Sequence, residues 1–286
     1  MLAALVAIGL AACGSDGDTE SSTATAPQPI ADRFDSARAF EDLVMQVELG
    51  PRPMGSPAAR RLAEILRERL PEGAIEEGPD GVRNVVGSLP GEAPAILVGA
   101  HYDTYDIPGF VGANDGAGGV ATVLELARVL AQRDEGGREV RFVLFDAEEA
   151  PPGSDDFLAD GVRGSRAYLE AHRDEIGEVV VIDFVADREL SLPREEGSDE
   201  DLWAELRRAA DDVGVSEVFP DETRAEIFDD HTPFAEAGIP AIDLIDFDFP
   251  EWHTVEDDLD AVSAESLDAA GEALVLFLER RRTAAR

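Results

Sequence analysis

From about residue 31 the apolar positions fall into two alternating patterns. Phe34 to Leu49 places its hydrophobic residues at helical spacing and is stopped by Gly50-Pro51, and Ala58 to Leu70 repeats this before Pro71. Short β-rich runs follow at Val82 to Leu89, Ala95 to Ala100, Val140 to Phe145, Val179 to Val185 and Ala241 to Ile245. Between and after them, Gly116 to Gln132, Ser165 to Arg173, Leu202 to Val213 and Ala264 to Arg281 carry helical spacing. The strand runs are continuously apolar rather than alternating, as expected when helices cover both faces of a sheet. No internal repeat is visible. The pattern predicts one α/β domain over residues 31–286, a three-layer αβα sandwich around a central mixed, mostly parallel sheet.

The 286 residues, 44% hydrophobic and 30% charged, suffice for such a core and exclude a wholly disordered chain. Acidic residues number 62 against 24 basic ones, every one an arginine, so the formal charge is −38. A field of that sign excludes general electrostatic binding to nucleic acid or to an anionic membrane surface, and serves solubility. The single cysteine, Cys13, excludes an intramolecular disulfide and any thiolate site within the domain. It closes an uncharged apolar run, Met1 to Ala12, ending Leu10-Ala11-Ala12-Cys13 before Gly14-Ser15. That run is too short to span a bilayer. It resembles a bacterial lipoprotein signal with its lipobox, so residues 1–13 are expected to be a signal peptide with lipidation at Cys13. Residues 14–30, rich in Ser, Thr and Pro, are expected to be a flexible tether. The expected protein is exported, held at the outer face of the cytoplasmic membrane only through a lipid anchor, and monomeric.

In open α/β sheets ligands gather beyond the carboxyl ends of the strands, and polar residues concentrate there in this chain. The run ending at Ala100 leads into His101-Tyr102-Asp103, and that ending at Phe145 into Asp146-Ala147-Glu148-Glu149. The Val179 run reaches Asp183, Asp115 precedes the Gly116 helix, and the last strand leads through Ile245, Phe249 and Trp252 to His253. With no usable cysteine, a transition-metal site must be built from nitrogen and oxygen, which suits catalytic rather than structural zinc.

Each of these residues also has a plainer reading. Of the four histidines, His172 lies on a polar helix end and reads as surface, while His231 follows Asp229-Asp230 where a helix begins and reads equally as packing or ligation. His101 alone could be a satisfied strand-end histidine, but Asp103 two residues on could take its second N–H, as carboxylates do behind metal-bound imidazoles. Asp115 could be only a helix N-cap or could bridge two metals. Glu148-Glu149 could be a solvated turn, or could divide labour between base and ligand. Asp183 is hardest to dismiss, since a charge ending an apolar run is costly unless paired.

Taken in order, His101-x-Asp103, Asn114-Asp115-Gly116, Phe145-Asp146-x-Glu148-Glu149, Ile182-Asp183 and Trp252-His253-Thr254 resemble the zinc exopeptidases of metallopeptidase family 28 (clan MH), and the likeness extends back to Gly50-Pro51-Arg52-Pro53-x-Gly55-Ser56. The resemblance implies a zinc exopeptidase-like fold, with Asp115, Glu149 and His253 as metal ligands, joined by His101 and Asp183 where two metals are held, and Glu148 as general base. Within the family, Asp229-Asp230-His231-Thr232-Pro233-Phe234, Gly238-Ile239-Pro240-Ala241 and Phe249-Pro250-Glu251-Trp252-His253-Thr254 resemble the glutaminyl-peptide cyclotransferases, which use one zinc. In that likeness Asp183 and Asp229 hydrogen-bond the reacting groups, and Trp252, Phe249 and Ile245 line the substrate pocket. Asp243 stands where the animal cyclases have histidine, and the loop after Glu149 lacks their pocket tryptophan. The implied function is a zinc enzyme acting on peptide or protein N-termini, a cyclase forming pyroglutamate with release of ammonia. The alternatives are an aminopeptidase and a non-catalytic peptide-binding lipoprotein, the last requiring loss of the base or a ligand.

Overall fold

A computed structural model describes residues 26–133, 136–154 and 156–284. The expected signal and Cys13 lie outside the described residues. Chain order is α1 (Ser36–Glu48), α2 (Pro57–Arg69), β1 (Ala74–Glu77), β2 (Arg83–Leu89), β3 (Glu92–His101), α3 (Ala117–Gln132), β4 (Arg138–Phe145), α4 (Phe157–Asp160) and α5 (Arg163–His172). Then come β5 (Ile176–Ile182), β6 (Arg194–Glu195), α6 (Glu200–Val213), β7 (Thr223–Arg224), α7 (Thr232–Glu236), β8 (Ala241–Leu244) and α8 (Ala264–Thr283). Side-chain caps set the helix starts: Asp35, Ser56, Asp199 and Ser263 each accept from a backbone N–H three residues on. Pro57 occupies the first turn of α2, and Gly214 ends α6 in the left-handed conformation.

The main sheet has six strands in the order β1-β2-β4-β3-β5-β8, with β4, β3, β5 and β8 parallel and β1-β2 and β2-β4 antiparallel. Strand alternation divides the core in two. Ile96, Val98 and Ala100 of β3 and Val180 and Ile182 of β5 face α1, α2, α3, α6 and α8. Ala95, Leu97, Val179 and Val181 face the other way, onto Tyr168 of α5 and Phe234 of α7. The expected three layers are therefore present, with one helical layer much heavier than the other.

Two differences from the sequence expectation have local causes. The fifth strand stops at Ile182 instead of Val185, because Phe184 takes φ +33° and turns the chain away. Strand β1 was not anticipated, since Ala74–Glu77 is a polar, half-exposed edge without an apolar signature. The crossover from β3 to β4 uses α3 on the heavy face, and that from β4 to β5 uses α5 on the other. A crevice is left at the carboxyl ends of β3, β4 and β5.

Candidate active site

All five metal-ligand candidates meet in that crevice. His101 closes β3, Glu149 follows β4, Asp183 follows β5, Asp115 comes from the loop entering α3, and His253 from the loop after β8. Asp115 divides its two oxygens. Its Oδ1 lies 3.3 Å from His101 Nε2, which also has Asp183 Oδ1 at 3.4 Å. Its Oδ2 lies 3.5 Å from His253 Nε2, which has Glu149 Oε1 at 3.2 Å. Two donor clusters thus share one carboxylate.

Asp115 is held by the backbone around it. The Asp257 carboxylate accepts from Asn114 N at 2.7 Å and Asp115 N at 3.1 Å, and Asn114 Oδ1 accepts from Ala186 N at 2.8 Å. Arg52, fully buried, donates from its guanidinium to the carbonyls of Gln46, Gly50, Val111 and Gly112, tying the loop before Asp115 to the end of α1. The plainer reading of Asp115 fails, since the N-cap of α3 is Gly116 and no side chain caps the helix. At Gly116 φ is +93°, and a Cβ would stand 2.9 Å from the Asp103 carbonyl. At Gly119 a Cβ would stand 2.1 Å from the Ile182 carbonyl, so glycine lets α3 lie close against β5 and brings Asp115 to Asp183. Backbone strain gathers here too: Ala147, Phe184 and His253, each beside or within the donor set, have φ of +60°, +33° and +54°.

Glu148 and Glu149 are buried, so they are not a solvated turn. Burial, then the neighbouring Glu149 charge, pushes the Glu148 carboxyl well above its ordinary value against the opposing pull of His101. Burial and Asp115 push Glu149 up to about 7, opposed by His253. Asp183 is likewise pushed up to about 7 by burial, opposed by His101. Burial disfavours the charged His101 ring, yet Asp103, Asp115 and Asp183 together raise it well above the usual histidine value. Asp103 stands 3.7 Å from His101 Nδ1, too far for the expected hydrogen bond, and instead accepts from Glu148 N at 3.1 Å. Asp115 Oδ2 and His101 Nδ1 have no hydrogen-bond partner despite full burial. Such a concentration of buried carboxylates around two imidazoles fits a cation, and the donor set suits a divalent metal.

A cavity of about 480 Å³ opens beside the clusters and is bordered by Asp115, Glu148, Glu149, Asp183, Asp229 and His253. One wall is a continuous aromatic series: Tyr105 stacks on His253 at 4.6 Å, His253 on Trp252 at 4.4 Å, Trp252 meets Phe247 at 5.0 Å, and Phe247 stacks on Phe184 at 6.1 Å. Ile245 and Trp252 line it as expected, but Phe249 does not. It is buried behind the wall against Phe184, because the turn after Asp246 directs Phe247 to the mouth instead. Opposite, Phe157 and Phe228 meet edge to face at 5.9 Å, filling the side where the loop after Glu149 carries no tryptophan.

The sequence reading missed Tyr105, Phe184, Phe247 and Phe228, whose only signal was an aromatic residue in a loop near a strand end, and Phe157, which opens the short helix α4. His172 is half-buried and pairs with Glu76 at 2.9 Å, away from the site. His231 stands at the N-cap of α7 without a side-chain capping hydrogen bond and does not join the two clusters; it is buried with Glu195 and Asp243.

Comparison with known proteins agrees with this architecture. The description "Peptidase family M28" matches residues 84–278. Aminopeptidase YwaD of Bacillus subtilis is 31% identical over 62% of this chain, which spans only 39% of that protein's length. The glutaminyl-peptide cyclotransferase of Gloydius blomhoffii is 25% identical over 78% of this chain and 76% of its own. Among solved structures, the glutaminyl cyclase of Porphyromonas gingivalis superposes with a TM-score of 0.76 at 27% identity, covering 88% of this chain and 100% of that one. The matched span runs from β2 into α8 and contains every donor of the two clusters, so the chain belongs to peptidase family M28 and is a metal-dependent enzyme.

Proposed function

We propose that this protein is a zinc-dependent glutaminyl-peptide cyclotransferase-like enzyme that converts N-terminal glutamine to pyroglutamate with release of ammonia. The observation that carries it is the placing of Asp229. This carboxylate borders the same cavity as the aromatic wall, without belonging to either Asp115 cluster. A cyclisation needs an acceptor for the side-chain amide nitrogen that departs as ammonia, whereas hydrolysis of a peptide bond has no need of one there.

The cavity is bordered by acidic side chains and by no arginine. It therefore suits a peptide's amino terminus rather than its carboxylate. Asp115, Glu149 and His253 would hold zinc, which when bound polarises the side-chain amide carbonyl. Glu148 takes a proton from the α-amine as its nitrogen attacks the amide carbon, and returns a proton to the leaving nitrogen. Asp183 and Asp229 hold the reacting amine and amide nitrogens by hydrogen bonds. Trp252 and Phe247, both half-exposed, form the mouth and exclude water from the reacting carbon.

A second reading rests on the other cluster. His101, Asp115 and Asp183 form an equally compact donor set, so a second zinc could sit there and the same base could activate water for aminopeptidase chemistry. Zinc-loaded protein incubated with Gln-initiated and Leu-initiated peptides, followed by mass spectrometry, separates the two. Loss of ammonia from the Gln peptide is expected. Release of free N-terminal residues, abolished by His101→Ala, overturns the cyclase reading.

We propose as well that the protein acts outside the cytoplasmic membrane as a lipoprotein lipidated at Cys13, supported by the Leu10 to Cys13 sequence and the polar tether after it. Among the described residues no helix is long and apolar enough to cross a membrane. Cys13→Ser should move the protein from the membrane to the soluble fraction, and an unchanged distribution would refute the anchor.

A further inference from the structure

We propose that Asp229, His231 and Asp243 form an additional cation site, sharing no donor with the Asp115 clusters, that takes a first-row divalent metal ion, zinc foremost. The proposal stands whether the active site cyclises or hydrolyses.

The three side chains are buried, each can offer one donor atom, and these atoms all lie within 4.8 Å of one another. His231 sets the chemistry. Its Nε2 faces Glu195 Oε1 at 3.4 Å, and Glu195 is itself oriented by accepting from Gly197 N at 2.6 Å and Ile227 N at 3.3 Å through its other oxygen. Metal-bound imidazoles have a carboxylate behind one ring nitrogen. Glu195 Oε1 stands in that place without making a hydrogen bond, and Nδ1 is the nitrogen beside Asp243. That Nδ1 points at Asp243 Oδ2 from 3.6 Å. The separation is too long for a hydrogen bond. It suits two ligands of one ion, since bonds of about 2.0–2.1 Å at a tetrahedral centre set neighbouring donors roughly 3.3–3.5 Å apart. The separations within the two Asp115 clusters are similar, 3.2 to 3.5 Å.

Unmet valences point the same way. His231 Nδ1, Asp229 Oδ2 and both Asp243 oxygens are buried without a hydrogen-bond partner. Asp230 and Glu195 add two more buried carboxylates, and among the described residues the ion pairs of this group are to His231 alone. A divalent ion held by the imidazole would offset two of the four carboxylate charges. Asp229 borders the active-site cavity, which supplies an entry path for the ion. One imidazole and two carboxylates suit zinc or manganese better than calcium or magnesium. An ion bound there would also fix the Asp229 carboxylate at the cavity wall.

The test uses the full chain, stripped with a chelator, reloaded with Zn²⁺ alone, and passed over a chelating resin before elemental analysis. His101→Ala/His253→Ala removes the imidazoles of both Asp115 clusters and is expected to retain one zinc per chain. Adding His231→Gln is expected to remove it. A double variant that holds no zinc, or zinc undiminished by His231→Gln, overturns the proposal. Should the multiple variants fail to fold, the otherwise unaltered chain gives the same answer. There His231→Gln and Asp243→Asn should each lower bound zinc by one equivalent with the circular dichroism spectrum retained, and unchanged stoichiometry overturns the site.

Discussion

Adjacent glutamates with opposite duties can be separated by one substitution each. The Glu148 carboxylate belongs to neither metal cluster and borders the cavity, and the residue is held through its backbone, N–H on Asp103 and carbonyl accepting from Val162 N. Glu148→Gln therefore removes no protein hydrogen bond and no metal ligand, while keeping the side chain's shape. Its cost falls on proton transfer, which contributes about 10²–10⁴-fold. At about 1.36 kcal/mol per tenfold this is roughly 2.7–5.4 kcal/mol of transition-state stabilisation. Glu149 Oε1, in contrast, lies 3.2 Å from His253 Nε2 within the cluster. Glu149→Gln should weaken metal binding by at least about 100-fold, the upper end of what losing an outer-sphere partner costs. The assay is zinc content after dialysis against a metal buffer, followed by kcat at saturating zinc. Glu148→Gln should be fully loaded and nearly inactive, and Glu149→Gln should recover activity only in excess metal. Loss of zinc by Glu148→Gln with retention by Glu149→Gln would show that the two roles are exchanged.

Arg52→Met leaves two buried and two half-buried carbonyls without their donor, so denaturant unfolding should show a loss of about 3 kcal/mol, with weaker metal binding because the loop to Asp115 is released. A midpoint unchanged from the parent would contradict the clamp. Gly119→Ala drives a Cβ onto the Ile182 carbonyl and should cost about 1–3 kcal/mol, read as a lower Tm; an unchanged Tm would mean that α3 can move freely away from β5. Asp268 is pushed up to about 6 by burial and by Glu272 and Asp32. Its folded value exceeds its unfolded one, so its stabilising contribution is full below the unfolded pKa and is lost as pH rises through about 6. The Tm should accordingly rise more between pH 8 and 5.5 for the parent than for Asp268→Asn, and equal slopes in both would rule this out.

Element types were largely legible in the sequence because helices and strands obey local periodicities and local stops. Continuous apolar runs marked β3, β4, β5 and β8, and Gly50-Pro51 and Pro71 marked where α1 and α2 end. Membership of the metal site was legible for a related reason. A carboxylate or imidazole directly after a buried strand must emerge at the sheet edge, so His101, Glu149 and Asp183 were bound to share a crevice once the strands were parallel.

What periodicity cannot encode is the direction in which a loop side chain points, because that depends on contacts made by residues far away in the chain. That Asp115 offers one oxygen to each cluster follows from Asp257, 142 positions after it, gripping its backbone, and from Arg52, 63 before it, gripping the loop that leads to it. That Phe247 and Phe184, and not Phe249, form the wall follows from a positive φ and a turn, neither visible in composition. His231 read locally as packing or ligation alike, and only the approach of α7, β8 and β6 brings it together with Asp243 and Glu195 around one buried point.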